Sequence, residues 1–417
     1  MLSMVQIAPV SFAQNKLPEP LTLEYALSLV DEPHPDMERF IAKRDSAQAD
    51  ILGVDAISGL TSSIEARAQW IDPSNTATNQ SHNDNQVSLL IQKQIYDFGY
   101  SSALLKAAQQ NVEYREFLIR DLSNKRRIEI MARYFDVLLA DLEYIRDNEA
   151  MSVDYVEFDK LKDRHALGQV SDIILKEKES DYQKSRRIRY ASQTNQRLQR
   201  ARLALALNRP DSLSSSLELP KLKNLERKLP ELESLQKEAR EKNPVIHAMR
   251  KQLESAQTRV TAAKAGGRPV LRGEIEASAY ERRFGSRDDV QAGLVLEIPL
   301  TKGGSIKAES AREQANVRHY QAELIAGERD IDQKILELWL ELDTLYIQLE
   351  EVNVLVDYRD LYLDRSRALY EMEVKTNLGD SMVKFSDARL KEAQTRYAIE
   401  LAWARLDALS GRIHDEN

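Results

Sequence analysis

The sequence has no cysteine, which excludes disulfides, thiolate metal sites, a cysteine nucleophile and lipid attachment through an N-terminal cysteine. It holds only 14 glycines and 12 prolines in 417 residues, and aromatics make up 6%. So few chain breakers argue against a many-turned globule. The abundance of Ala, Leu, Glu, Lys, Arg and Gln points instead to long helices. No stretch approaches the ~20 apolar residues of a membrane-spanning helix. A form of this chain that crosses a membrane therefore crosses it as β-strands. Charge of one sign is also missing. The 59 basic and 67 acidic residues interleave, so no nucleic-acid face or acidic tail stands out and no nucleic-acid partner is expected. His34, His82, His165, His247, His319 and His414 are scattered, with no HExxH and no metal-ligand spacing. There is no GxxxxGK[ST] loop either. The expectation is a protein that is not an enzyme and has no cofactor and no metal.

Internal repetition is present. Gln94-Ile-Tyr-Asp-Phe-Gly99 is followed by Ala103 and Asn111-Val112, and Pro299-Leu-Thr-Lys-Gly-Gly304 by Ala308 and Asn316-Val317, a constant offset of 205. Ser171-Asp172 matches Gly379-Asp380, and Ala206-Leu207-Asn208 matches Ala408-Leu409-Ser410. The expected organisation is a first copy over 21–210, a linker over 211–230 and a second copy over 231–412, with a short tail over 413–417. Residues 1–20 precede the copies. Within them Met1 to Ala13 ends in a small-x-small site and reads as the back half of a secretory signal peptide without its basic region, or as a disordered tail.

Each copy reads helix, strand, strand, long helix, break, helix. The first helix spans Thr22 to Leu52, and the strands Leu60 to Ile71 and Gln86 to Tyr96, around the loop-like Asp72 to Asn85. A long helix from Tyr100 to Leu167 and another from Asp172 to Leu207 complete the copy. In the second copy the helices are Glu231 to Ala265, Ser305 to near Lys375 and Asp380 to Leu409, and the strands Val270 to Tyr280 and Val290 to Leu300. Ile64, Ala66, Ala68 and Trp70 alternate with Glu65, Arg67 and Gln69, and Leu271, Ile275, Ala277 and Ala279 with Arg272, Glu274 and Glu276. Val87, Leu89, Ile91 and Ile95 alternate with mostly polar residues, and Val290, Ala292, Leu294, Leu296 and Ile298 share one side. Period-two alternation over ~10 residues fits a transmembrane barrel strand, and it also fits a half-buried sheet on a soluble domain. Four strands cannot close a membrane barrel, which needs about 8 or more, so a membrane reading demands several copies.

The helix lengths agree with one another. The long helix of the first copy is ~100 Å at 1.5 Å per residue, and its two shorter helices, stacked end to end, match it. A protomer would be four columns with the strands at one end and both breaks at the other. Ile331, Ile335, Leu338, Leu342, Leu345, Leu349, Val352 and Val356 form a heptad seam, so the columns should wind as coiled coils. The runs Lys125-Arg126-Arg127 and Arg186-Arg187-Ile188-Arg189 read as solvated faces.

This arrangement resembles the TolC-like outer-membrane efflux protein family over about Leu21 to Arg412. The resemblance rests on the duplicated order, on Ile95-Tyr-Asp-Phe-Gly99 and Leu300-Thr-Lys-Gly-Gly304, on Arg164-His-Ala-Leu-Gly-Gln-Val-Ser-Asp172 and on Leu406-Asp-Ala-Leu-Ser-Gly411. It implies a mainly α fold with a small β part, assembled as a homotrimer. A 12-stranded β-barrel in the outer-membrane lipid of a Gram-negative bacterium would continue into a helical coiled-coil barrel in the periplasm, joined at an equatorial linker. It also implies a passive duct for efflux or type I secretion. The helical tips would dock a periplasmic adaptor (membrane fusion protein), itself joined to an ABC or proton-driven inner-membrane transporter. The rival readings are a soluble coiled-coil scaffold and a periplasmic adaptor. A scaffold leaves the paired strands unexplained, and an adaptor has one helical hairpin where this chain has two.

On this resemblance the docking tips are Arg164, Leu167, Gly168, Ser171 and Asp172 in the first copy and Lys375, Leu378 and Gly379 in the second. Leu167-Gly168 and Leu378-Gly379 are expected to reverse the chain, because glycine ends helices and permits positive φ. Ser171 or Asp172, and Asp380 or Ser381, are expected to cap the helix that follows. Asp380 and Asp387, one heptad apart, would form rings of carboxylates in a trimer and act as a gate, or else be plain helix surface. Glu65, Arg67, Gln69, Arg272, Glu274 and Glu276 would line the barrel lumen. Trp70, Tyr96 and Tyr280 would sit at the interfaces, as aromatics do there.

Overall fold

The computed structural model describes residues 17–211, 215–283, 285, 287–374 and 377–412. In chain order the elements are α1 (Leu23–Ser28), α2 (Pro35–Asp55), β1 (Leu60–Arg67), β2 (Gln86–Tyr96), α3 (Tyr100–Ala166), α4 (Asp172–Ala206), α5 (Leu232–Lys242), α6 (Pro244–Ala265), β3 (Val270–Tyr280), β4 (Val290–Glu297), α7 (Ser305–Glu371) and α8 (Leu378–Ser410). The signal-peptide reading of Met1–Ala13 and the tail beyond Arg412 lie outside the described residues. The helices α3 and α7 have 67 residues each and start 205 positions apart.

Two expected helices are broken, in each case by proline. The stretch expected as one helix from Thr22 to Leu52 stops at Asp31 after a 3-10 turn. Glu32, which precedes Pro33, is extended (φ −68°, ψ 151°), because a following proline disfavours the helical region. The helix restarts with Pro35 in its first position, where the missing N–H is no loss. Between α5 and α6 the same happens at Asn243 and Pro244.

The chain forms two compact units. One contains Pro35–Arg120 and Pro244–Asp330, hence α2, α6, all four strands and the starts of α3 and α7. Its strands make one antiparallel sheet in the order β1-β2-β3-β4. Rows such as Ile64, Leu89, Ala277 and Val290 run straight across it, so the alternation of each strand is in register with its neighbours. One irregularity, at Gln94/Tyr96, lets β2 turn Ile95 and Tyr96 toward the same side. Beyond Arg67 the expected strand is interrupted, and the ladder resumes with Asp84 N donating to Gln69 O and Ile71 N to His82 O, both at 2.8 Å. Asp97 caps α3 by accepting from the backbone N–H of Gly99, Tyr100 and Ser101.

Among the described residues, the other unit contains those up to His34, those within Asp121–Asn243 and those from Ile331 onward. Its core gathers Leu21, Leu29, Val30, Ile130, Tyr134, Phe135, Leu138, Leu203, Leu207 and Tyr397. Phe135 stacks on Tyr397 with centroids 4.5 Å apart. From Ser215 onward the linker after α4 straps this core. Leu21 N donates to Ser216 O and Glu218 N to Leu21 O. The buried Tyr134 hydroxyl lies 2.8 Å from Leu21 O and 2.6 Å from Glu218 O, and burial pushes its pKa above the ordinary tyrosine value. Further along, Asn224 donates twice to Glu400 and Arg227 forks onto Asp407 while covering the Trp403 ring at 3.9 Å. The heptad seam is buried at Ile331, Ile335, Leu338, Leu342 and Val352.

Candidate functional site

The sheet is built the wrong way round for a soluble protein. Along β2 and β3 the polar side is the sheltered one. Ser88 and Ser278 are buried, and Gln92, Gln94, Arg272, Glu274 and Glu276 are half-buried. The apolar side is open: Ile64 is 75% exposed, Val290 65%, Leu294 70% and Ile275 48%. Water alone would leave such a face covered. Lys93 interrupts it opposite Leu60 and Gly273, near the helix end of the sheet, where a long cationic side chain can reach toward a polar boundary.

The residues expected on the polar side are brought together there, with one exception. Glu65 and Arg67 form a 2.8 Å ion pair on β1. Arg272 bridges to Glu297 at 2.9 Å, Glu274 accepts from Gln92, and Glu276 accepts from Ser278. Gln69 is the exception. It lies past the end of β1, in the resumed ladder, with its N–H on Asn85 Oδ1. Tyr280 also departs from expectation. It follows Ser278 on the polar side, because its partner is Gln86, so it is not an outward-facing interfacial aromatic. Trp70 is exposed and stacks on His82, and Tyr96 packs edge-on against Phe98.

The first helix reversal is where the sequence puts it. Gly168 has φ +70°, its N–H donates to His165 O, and Gln169 N donates to Arg164 O, which together close a Schellman turn. Leu167 projects into solvent. Arg164 reaches Gln169 at 3.5 Å, and His165 Nε2 meets Asp172 Oδ1 at 2.5 Å, tying the two arms. Ser171 sits at the N-cap of α4, but its side chain makes no capping hydrogen bond.

The second reversal is not at Leu378-Gly379. The same pair of bonds closes at Glu373 N to Tyr370 O and Val374 N to Leu369 O, with Glu373 at φ +60°. Each is 205 positions from its counterpart, the offset that also relates the starts of α3 and α7. Positive φ falls here on a glutamate, which a search for glycine overlooks. Leu378 opens α8 and Gly379 lies within its first turn, pressed against α3, where a Cβ would stand 2.7 Å from Val153 Cγ2. The N-cap position of α8 is Asn377, with no side-chain capping bond, so neither Asp380 nor Ser381 takes it. Lys375 lies outside the described residues.

Asp380 pairs with Lys384 at 2.6 Å on its own helix. Asp387 pairs with Lys391 at 2.9 Å and with Arg146 of α3 at 3.4 Å, and the neighbouring Ser386 donates to Glu149. Burial works against the Arg146 charge, but Asp147, Asp387 and Glu143 outweigh it and hold its pKa above the ordinary value. Among the described residues no helix is long and apolar enough to cross a membrane, and no cluster of His, Asp and Glu suits a metal ion.

An apolar face turned outward on a sheet that leads into 67-residue helices is the pattern of strands built to meet lipid. Residues 235–412 match the family model described as outer membrane efflux protein. A membrane protein from Pseudomonas aeruginosa has the same fold at TM-score 0.76 and 17% identity, over 95% of this chain and 91% of that one. The Campylobacter jejuni CmeC outer membrane channel matches at TM-score 0.75 and 13% identity, over 94% and 85%. The open state of the Neisseria gonorrhoeae MtrE outer membrane channel matches at 0.69 and 16%, over 94% and 89%. No curated protein matches by sequence. The second part of the chain thus matches the outer membrane efflux protein model, and the chain as a whole shares the fold of these outer membrane channels.

Proposed function

We propose that three copies of this chain form a passive export duct through the outer membrane. The observation that carries this reading is the inside-out sheet. The apolar side from Leu271 to Ala279 runs about 27 Å along the strand at ~3.4 Å per residue, about 20 Å once tilted, against a ~25 Å apolar band. Both edge strands, β1 and β4, are exposed along their whole length, and open edges in lipid are untenable. Three copies pairing β4 to β1 would give twelve strands, enough to close. Each chain would then hold two copies of one structural repeat, joined by the strap. A second stripe on α7 (Leu336, Leu340, Ile347, Val354, Leu361) is exposed in the single chain and supports a neighbouring helix from another copy.

Glu65, Arg67, Arg272, Glu274 and Glu276 would line the lumen, Gln69 its mouth. The turns around Leu167 and Met372, both exposed, would dock a periplasmic adaptor that joins an inner-membrane transporter, ABC or proton-driven. Arg164, Gly168, Ser171 and Asp172 belong to the first surface, and Leu378 and Gly379 border the second. Asp380 and Asp387 would ring the narrow end, with Arg146 holding Asp387 in the closed form. The cargo class, drug, metal ion or polypeptide, would be chosen by the transporter. A soluble scaffold is disfavoured by the bare apolar face.

The test is reconstitution. Purified protein should partition with the outer membrane, cross-link as a trimer and conduct ions in planar bilayers. A photo-cross-linker at Leu167 or Met372 should capture the co-expressed adaptor. A soluble monomer that never conducts would refute the duct, and a conducting trimer with no cross-link at either turn would refute the docking surface alone.

A further inference from the structure

At the loop end of the sheet the polar side is covered. Ser88 and Ser278 pair across β2 and β3, yet only 8% and 7% of their surface is exposed, against 50% for Val87 on the other side. Tyr280 follows on the same side, and the Arg287 guanidinium lies 5.0 Å from its ring centroid. Arg287 belongs to the β3–β4 loop and is forked onto the β1–β2 loop. Its Nη1 and Nη2 donate to the two Asp84 oxygens at 2.8 and 3.2 Å, and Nη1 also to Arg282 O at 3.1 Å. Arg282, 4% exposed, donates across to Asn79 O. Asn85 Nδ2 donates to Glu281 Oε2, and Glu281 N donates to Asn85 O. The Arg287 hydrogen bond holds the Asp84 carboxyl below the usual carboxylate range.

An arginine so buried in a surface loop persists only where partners enclose it, and here they come from the second loop. The two loops therefore fold as one body. Because Tyr280 and Arg287 meet on the polar side, that body leans over the polar side and away from the apolar one. We propose that the two interstrand loops are a built-in plug that narrows the mouth of the duct, latched by Arg287 on Asp84. This rests on the reading that the polar side lines a duct. Breaking the latch should free the loops to swing out without unfolding the sheet, whose ladder does not depend on them.

The cysteine-free chain suits a thiol test. Full-length protein carrying Ser278→Cys is treated with a water-soluble maleimide, with the latch intact, with Arg287→Ala, with Asp84→Asn and with the swap Asp84→Arg plus Arg287→Asp. Labelling should run roughly tenfold faster in the two single variants, as loss of one charge-assisted pair allows. It should slow again in the swap, and bilayer conductance should rise and fall with it. Equal labelling in all four forms overturns the plug. Labelling that responds in a protein conducting in none of its forms would instead overturn the duct reading.

Discussion

The sheet and the strap core obey opposite packing rules within one chain. In the unit that holds α1, α4, α5 and α8, Phe135 and Tyr397 are inside, buried charges such as Asp147 and Glu400 are held by partners, and the strap is bound down by a buried tyrosine. In the sheet, Ile64, Ile275 and Leu294 are outside while serines are inside. Each arrangement is favourable in one solvent only. The difference teaches that the alternation within a strand marks two sides but does not say which side meets water. That is decided by what covers them, and here the interstrand loops lie on the polar side.

The largest expected effect comes from reversing the sheet's preference. Ile275→Lys should cost ~2–4 kcal/mol on refolding into liposomes if its side meets the bilayer midplane. Glu274→Gln, one residue away, should be close to neutral in the same assay. In the strap core, Tyr134→Phe removes the donor that serves Leu21 O and Glu218 O, and should cost ~1–3 kcal/mol by denaturant unfolding. That loss should be the same in detergent and lipid, whereas the Ile275→Lys loss should need lipid.

The two helix turns extend the comparison. They share one hydrogen-bond pattern, with Gly168 in one and Glu373 in the other at the positive-φ position. Glu373→Gly should stabilise by about 1 kcal/mol and Gly168→Ala should destabilise by about as much, since only glycine is free of the left-handed penalty. Local hydrogen exchange around each turn reads both. The smallest effect is one of pH. Arg412, then Lys242, hold the Glu238 carboxyl below its ordinary value, so the tie from α5 to the end of α8 is intact at neutral pH. It should be lost as pH falls through the carboxylate range, seen as faster exchange in α5, while the sheet is unchanged.

Much of this was legible in the residues. Period-two alternation located β2 and β3 to the residue and the starts of β1 and β4, and scarcity of breakers foretold α3 and α7. Pro33, Pro35 and Pro244 were visible too, but an amphipathic pattern that runs through a proline hides the interruption. The second turn was missed because a glutamate occupies the glycine's position, so a nearby Leu-Gly pair, which in fact serves close packing on Val153, drew attention instead. The strap and the Arg287–Asp84 pair join residues far apart in sequence, and no local pattern announces such contacts.

The central claim is that the exposed apolar side faces lipid and the polar side faces water. Nitroxide labels on single cysteines at Ile275 and Glu274, in the liposome-reconstituted protein, test it most directly through collision rates with oxygen and with a water-soluble nickel chelate. Position 275 should collide with oxygen and be shielded from nickel, and position 274 should show the reverse. Nickel reaching both positions equally would contradict it.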